Sequence, residues 1–166
     1  MFRKYWKLAA AVAVGTLLSY MVRLYLLGLA YEEMDEFLLT GLATLVLFFP
    51  LLLGAAAGTL VRKQGGKERE AMLVSGGAAL AAGVAIALFY VLFVLPTITE
   101  YLEFEYEMFV GVDDTLTEGQ YMASAVGAEL QGLITEGLAS FGMAMAGGFI
   151  GFTMLPSWLG KKKKKI

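Results

Sequence analysis

Four long apolar runs constrain the fold of this chain more than any other feature of its sequence. They cover residues 8–31, 37–61, 71–95 and 137–159. Each exceeds the roughly 20 residues that an α-helix needs to cross about 30 Å of hydrocarbon. Lipid cannot hydrogen-bond a bare backbone, and the runs lack the alternation of barrel strands. The sequence therefore predicts an all-α polytopic membrane protein, a four-transmembrane-helix bundle of two helical hairpins.

The composition agrees with lipid as the solvent for most of the chain. Of its residues, 58% are hydrophobic and 17% charged, against about 45–50% and about 25% in soluble domains. Its 166 residues predict a single domain, with an outer acidic loop and amphipathic helix over 97–136 and a basic tail over 160–166. The first apolar run exceeds the 7–15 residues of a signal-peptide core, which indicates an uncleaved signal anchor.

The distribution of Lys and Arg predicts the orientation of the chain. All 13 except Arg23 lie in the N-terminal tail, the connection between the second and third runs, or the C-terminal tail. The other two connections contain no Lys or Arg. Because basic loops stay on the cytoplasmic side, both termini are predicted to be cytoplasmic, in a multi-pass protein of the plasma (cell) membrane.

Acidic residues concentrate in the two connections that lack cations. They are Glu32, Glu33, Asp35, Glu36, Glu100, Glu103, Glu105, Glu107, Asp113, Asp114 and Glu118. This outer surface could attract cations or basic partners. The default interpretation is a solvated acidic loop, because the spacing is not that of an EF-hand.

Small residues in the cytoplasmic half of each run predict close helix packing. Gly54/Gly58 and Gly147/Gly151 have the small-xxx-small spacing that lets helix backbones approach in lipid. The outer halves are bulkier, so large side chains fill a wider space there or the helices splay around an outward-facing pocket. Pro50 is expected to kink the second run, and Pro96 and Pro156 are expected to terminate the third and fourth.

Arg23 is the one charge inside an apolar run. A buried arginine in lipid is costly unless it is paired or reaches the headgroups. One hypothesis is an ion pair between Arg23 and Glu136, at the start of the fourth run. The alternatives are that both side chains snorkel to the headgroups, or that Glu129 and Glu136 form an ion path or relay.

Two shorter segments carry local signals. Thr115–Glu118 fits a capping box, which predicts a helix from about Leu116 to Pro156. The segment Tyr101–Met108 alternates apolar and acidic residues. This period of two suits a short strand with one wet face, although an extension of the third helix is equally consistent with it.

Reactive residue types are scarce. The chain contains neither Cys nor His, and it lacks Walker, dinucleotide-binding and nucleophile-elbow motifs. We therefore expect no enzymatic activity, no cofactor and no metal site. The basic groups have no interleaved aromatic residues, so nucleic-acid binding is not expected.

The interpretation that fits these features best is a non-catalytic structural or accessory subunit that packs with itself, as a homo-oligomer, or with other membrane proteins. The alternative is a small ion or solute transporter or channel with an acidic outer vestibule. The inner halves of the runs are almost purely apolar, which argues against a water-filled path.

The C-terminal run Lys161–Lys165 should attract anionic lipid, by about 1 kcal/mol per residue near the surface.

Overall fold

The computed structural model of the chain describes residues 2–32, 36–106 and 117–154. Within these ranges every regular element is a helix, and four stretches are long and apolar enough to cross a membrane. The prediction of an all-helical chain with four such stretches is confirmed. The helices are α1 (Phe2–Glu32), α2 (Glu36–Val46), α3 (Phe49–Lys63), α4 (Glu68–Phe89), a π-helical segment (Tyr90–Val94), α5 (Leu95–Glu105) and α6 (Glu118–Thr153). Pro156, the tail 160–166 with Lys161–Lys165, and the acidic pair Asp113 and Asp114 lie outside the described residues.

The second apolar run is interrupted just before Pro50, as the proline predicts. The amides of Leu47 and Phe48 bond the carbonyls three residues earlier, each at 3.1 Å. Pro50 has no N–H to continue the α-helical ladder. It lies instead in the first turn of α3, where a missing N–H costs nothing. The run is therefore two helices, α2 and α3.

A glycine turn joins α3 to α4. Gly65 has φ +71°, a left-handed conformation that favours glycine. Its amide bonds the Arg62 carbonyl at 3.0 Å, and the Gly66 amide bonds the Val61 carbonyl at 2.9 Å. This pair of bonds is a Schellman motif, which ends α3 and satisfies two of its last carbonyls.

The prediction that Pro96 ends the third run is wrong. The helix continues past Pro96 to Glu105, and the preceding residues, Tyr90–Val94, form a π-helical segment. At its end the Leu95 amide bonds the Tyr90 carbonyl, five residues back. Such local π adjustments let a membrane helix tolerate proline, because they re-satisfy the backbone groups that the ring leaves without partners.

The strand predicted over Tyr101–Met108 is wrong in the part that the structure describes. Residues up to Glu105 belong to α5, and Tyr106 caps its end with an amide bonded to the Glu103 and Leu102 carbonyls. A lone strand would leave its backbone groups unpaired, whereas a helix pairs them internally. The alternative, an extension of the third helix, is the one observed.

The N-terminus of α6 lies two residues later than the predicted capping box. Thr117 precedes the helix, and its amide bonds the side-chain Oε1 of Gln120 at 3.0 Å. The Thr117 hydroxyl donates to the same oxygen at 3.1 Å. Gln120 therefore supplies the reciprocal half of a capping box. Thr115 lies outside the described residues.

The chain divides into two compact units. We call Met1–Ala82 with Gly137–Ile166 the glycine-packed unit and Gly83–Glu136 the acidic unit, since the latter contains no Lys or Arg. One core cluster of the glycine-packed unit comprises Tyr5, Val61, Ala71 and Val74, against which Leu8, Ala9 and Phe152 pack. A second comprises Val12, Ala57 and Ala78. In the acidic unit Tyr90 and Leu102 are buried, and the Tyr106 and Tyr121 rings are 5.9 Å apart.

Candidate functional site

Helices α3 and α6 of the glycine-packed unit meet backbone against backbone. A methyl group built at Gly54 would collide with the Ala144 carbonyl, and one built at Gly58 would collide with the Gly148 carbonyl. Only the hydrogen of glycine fits at either position. The two predicted packing residues of α3 therefore lie directly on the backbone of α6.

The contact is reciprocal. A methyl group at Gly147 would collide with the Leu51 carbonyl, and one at Gly151 would collide with the Ala55 carbonyl. The four glycines singled out in the sequence thus belong to a single helix–helix contact. Spacing alone identifies a smooth helix face but leaves open which other helix covers it.

Two polar side chains hold this contact together near the C-terminal end of α3. We call this end of the unit, which carries the cationic residues of the α1 N-terminus and of the α3–α4 turn, the basic end. The Thr59 hydroxyl lies 3.0 Å from the Ala55 carbonyl of its own helix and 3.1 Å from the Gly151 carbonyl of α6. Arg62 donates to the Phe152 carbonyl at 2.7 Å and lies over the Phe152 ring at 5.8 Å. A cation bonded to the last carbonyls of a helix also complements the helix dipole.

The start of α1 is bound to the α3–α4 turn. Tyr5 is only 2% exposed, and its hydroxyl lies 3.3 Å from Oε2 of Glu70. Lys4 donates to the Gln64 carbonyl at 3.2 Å. The polar groups of the basic end therefore link three parts of the unit: the α1 N-terminus, the turn, and the end of α6.

Glu70 lies immediately before the third apolar run and caps α4. Its Oε2 accepts the Lys67 amide at 2.9 Å, in the manner of a capping box. This backbone hydrogen bond, aided by the Tyr5 hydroxyl and by Lys4, lowers the pKa of the Glu70 carboxyl. A carboxylate whose pKa is lowered by folding stabilises the fold at neutral pH, and this stabilisation is lost as pH falls through the lowered pKa.

We expect Glu70→Gln to lower the unfolding temperature at pH 7, because it removes the charged acceptor of the cap. The difference from the unsubstituted protein should shrink below about pH 4, where glutamate protonates. Thermal unfolding in detergent from pH 7 to pH 3 measures this. The control is Glu68→Gln, which removes an equal charge from the same turn and keeps the hydrogen bond between Glu70 and the Lys67 amide. An effect of Glu70→Gln that is as large at pH 3 as at pH 7 would contradict the assignment.

A polar stripe follows one face of α1 in the glycine-packed unit. Thr16 and Ser19 are buried, and their hydroxyls donate to the carbonyls of Val12 and Thr16, each at 2.8 Å. Arg23 follows on this face, half-buried. The two hydroxyls are satisfied by their own helix. The ion pair of Arg23 with Glu136, which belongs to the acidic unit, stays a prediction.

Sequence reasoning missed Tyr90 in the acidic unit. Tyr90 is 8% exposed, and its hydroxyl has no hydrogen-bond partner in the described part of the chain. Glu129, in the same unit, is exposed on α6. A tyrosine inside an apolar run has no distinguishing spacing, so only the fold reveals that its hydroxyl is buried.

No protein-family model, curated protein or solved structure matches this chain. The function must therefore be inferred from the two features above. The glycine-packed unit offers a tight helix contact whose polar groups bond backbone or one another. The acidic unit contains an exposed carboxylate, Glu129, and a buried phenol, Tyr90.

Proposed function

We propose that this chain is a non-catalytic structural or accessory subunit of the plasma membrane, which its four long helices cross with the basic end in the cytoplasm. The observation that carries the proposal is the reciprocal glycine contact of α3 with α6. Backbones held this closely make a rigid helical element. The surrounding polar groups, Thr59 and Arg62 among them, hold helices together.

The exposed apolar surface supports placement in lipid. Phe37 is 95% exposed, and Leu38, Leu45, Met21 and Tyr25 are each more than 60% exposed. Soluble monomers rarely expose large contiguous apolar patches. Lipid acyl chains would cover these side chains without cost, and the Lys and Arg distribution favours a cytoplasmic basic end.

A face of α6 within the acidic unit supports packing against a helix of another membrane protein or of a second copy. Gln120, Ser124, Gly127, Gln131 and Thr135 are all exposed, and intervals of three and four residues place them on one face. A methyl group at Gly127 would meet nothing within 4 Å. Exposed amides and hydroxyls on one helix face can hydrogen-bond a neighbouring helix. A second copy of the chain or another membrane protein could supply that helix.

The absence of cysteine makes this proposal directly testable. Gln131→Cys places a single thiol on the α6 face, and oxidation in native membranes would capture a neighbouring helix. We expect a covalent species of defined mass, either a dimer of the chain or a stoichiometric adduct. The yield should fall when Ser124, one heptad away on the same face, is replaced by a bulky residue.

Leu92→Cys is the matched control, because Leu92 is 64% exposed in the same unit but lies on the π-helical segment. It should stay monomeric under the same oxidation. Equal, low cross-linking at both positions would contradict packing through α6. The proposal would also be contradicted if the protein is a monodisperse monomer in lipid nanodiscs and no partner is captured in native membranes.

The alternative function is a small ion or solute transporter with an acidic outer vestibule. The exposed Glu129 in a unit without cations favours this reading. Flux measured in proteoliposomes distinguishes the two functions. Cation flux that Glu136→Gln abolishes would overturn the structural role, whereas sealed proteoliposomes would support it.

A further inference from the structure

The fold joins two charged segments at the basic end. Lys4 donates to the Gln64 carbonyl of the α3–α4 turn at 3.2 Å. The Tyr5 hydroxyl lies 3.3 Å from Oε2 of Glu70, in the first turn of α4. Both contacts lie within the glycine-packed unit. Residues 3–7 and 62–70 therefore form one surface, although they are distant in sequence.

This surface has an excess of positive charge. Its seven cations, all exposed, face only two carboxylates, Glu68 and Glu70. The cations are Arg3, Lys4, Lys7, Arg62, Lys63, Lys67 and Arg69. Glu70 is already engaged, because it accepts the Lys67 amide at 2.9 Å. Folding thus concentrates like charges whose mutual repulsion an external anion would relieve.

The cations lie beside the ends of three apolar runs. Lys7 directly precedes the first run, Arg62 directly follows the second, and Arg69 lies two residues before the third. In a chain that crosses a membrane these positions are at the depth of the lipid headgroups. Trp6 is 59% exposed among them, and the Lys7 ammonium lies 5.7 Å from its ring centroid. Tryptophan is enriched at this depth, where its ring contacts acyl chains and its N–H contacts water.

We propose that the basic end is a binding site for anionic phospholipid, whose phosphate lies between the α1 N-terminus and the α3–α4 turn. Cations of both segments donate to the phosphate oxygens in charge-assisted hydrogen bonds. The acyl chains cover Trp6 and the adjoining apolar runs. Clusters of about 4–8 Lys and Arg beside a membrane helix are typical of anionic-lipid recognition. The lipid supplies the missing negative charge and strengthens the attachment of α1 to the turn.

This site is distinct from the tail Lys161–Lys165, whose attraction for lipid is predicted without any fold. The inference rests on the membrane placement proposed above, and it does not depend on the role as a subunit. A failure to bind anionic lipid leaves the cross-linking result through Gln131 unaffected. A failure to cross-link likewise leaves lipid binding at the basic end unaffected.

The test uses the full chain in micelles of a neutral detergent, to which phosphatidylglycerol or phosphatidylcholine is added. We expect phosphatidylglycerol to raise the unfolding temperature in a saturable way, because a ligand of the folded state stabilises it. Phosphatidylcholine, which carries no net charge, should not. Inorganic phosphate at the same concentration should not either, because it lacks the acyl chains.

Lys7→Gln and Arg69→Gln each remove one cation, the first from the α1 segment and the second from the α4 segment. Each should weaken the affinity for phosphatidylglycerol about fivefold, which corresponds to about 1 kcal/mol per cation. The tail is unchanged in both variants, so its own attraction for lipid does not affect the comparison.

Glu68→Gln and Glu118→Gln are a matched pair, because each removes one exposed carboxylate and changes the net charge equally. Glu68→Gln should raise the affinity for phosphatidylglycerol about fivefold, since Glu68 lies on the basic surface. Glu118→Gln should leave it unchanged, because Glu118 begins α6, at the opposite end of that helix from Phe152. The site is refuted if the two lipids or inorganic phosphate stabilise the protein equally. Normal affinity in both cation variants, or equal affinity in the two carboxylate variants, also refutes it.

Discussion

Replacing Gly147 by alanine is expected to unfold or loosen the helix pair α3–α6, at a cost of about 3 kcal/mol. The added methyl group collides with the Leu51 carbonyl and approaches the Ala55 amide at 2.9 Å. A backbone atom cannot rotate away as a side chain can. The helices must therefore separate, which forfeits neighbouring contacts and places the cost at the upper end of overpacking effects. Reversible unfolding in mixed micelles, followed by circular dichroism, measures the loss.

Gly142→Ala provides the matched control on the same helix. Gly142 is exposed, and a methyl group there meets nothing within 4 Å. Alanine in a helix interior is favoured over glycine by roughly 0.5–1 kcal/mol. Gly142→Ala should therefore be neutral or stabilising. If the two alanine variants have the same free energy of unfolding, the close packing of α3 on α6 is wrong.

Replacing Tyr5 by alanine is expected to cost about 3 kcal/mol. Tyr5 is among the largest fully buried side chains, and it packs with Val61, Ala71 and Val74. Truncating a buried aromatic ring leaves a cavity and typically costs 3–5 kcal/mol. Tyr5→Phe keeps the ring and loses only the hydrogen bond to Glu70, so it should cost about 1 kcal/mol. Thermal unfolding in detergent ranks the two variants.

The neighbouring Trp6 is the control for this prediction. Trp6 is 59% exposed, so Trp6→Ala should leave the free energy of unfolding nearly unchanged. Equal losses for Tyr5→Ala and Trp6→Ala would contradict the assignment of Tyr5, and not Trp6, to the core. A loss confined to Tyr5→Ala would support its role in joining α1 to the α3–α4 turn.

The sequence predicted the features that depend on local composition. Long apolar runs identify the four candidate membrane stretches, because length and hydropathy suffice for that purpose. The glycine pairs were identified because small residues four apart make a smooth helix face. Pro50 interrupts its run, since proline has no N–H to continue the α-helical ladder of the preceding helix.

The features that depend on tertiary context could not be predicted. A proline can end a helix or follow a π-helical segment, and the residues around Pro96 do not distinguish these two outcomes. Thr115 is followed three residues later by Glu118, and Thr117 is followed three residues later by Gln120. The sequence therefore allows two capping boxes. The burial of Tyr90 depends on tertiary packing, which a single tyrosine in an apolar run does not reveal. The pairing of Arg23 with Glu136 likewise depends on tertiary context, and it stays a prediction.

The central claim is that the chain crosses the membrane with its basic end in the cytoplasm. Because the chain contains no Cys, single thiols at Gln64 and at Glu118, both exposed, can be labelled in intact cells with a membrane-impermeant maleimide. We predict that Glu118→Cys reacts at once, and that Gln64→Cys reacts only after the membrane is permeabilised. Labelling of Gln64→Cys in intact cells, or of both positions from the same side, would contradict the account.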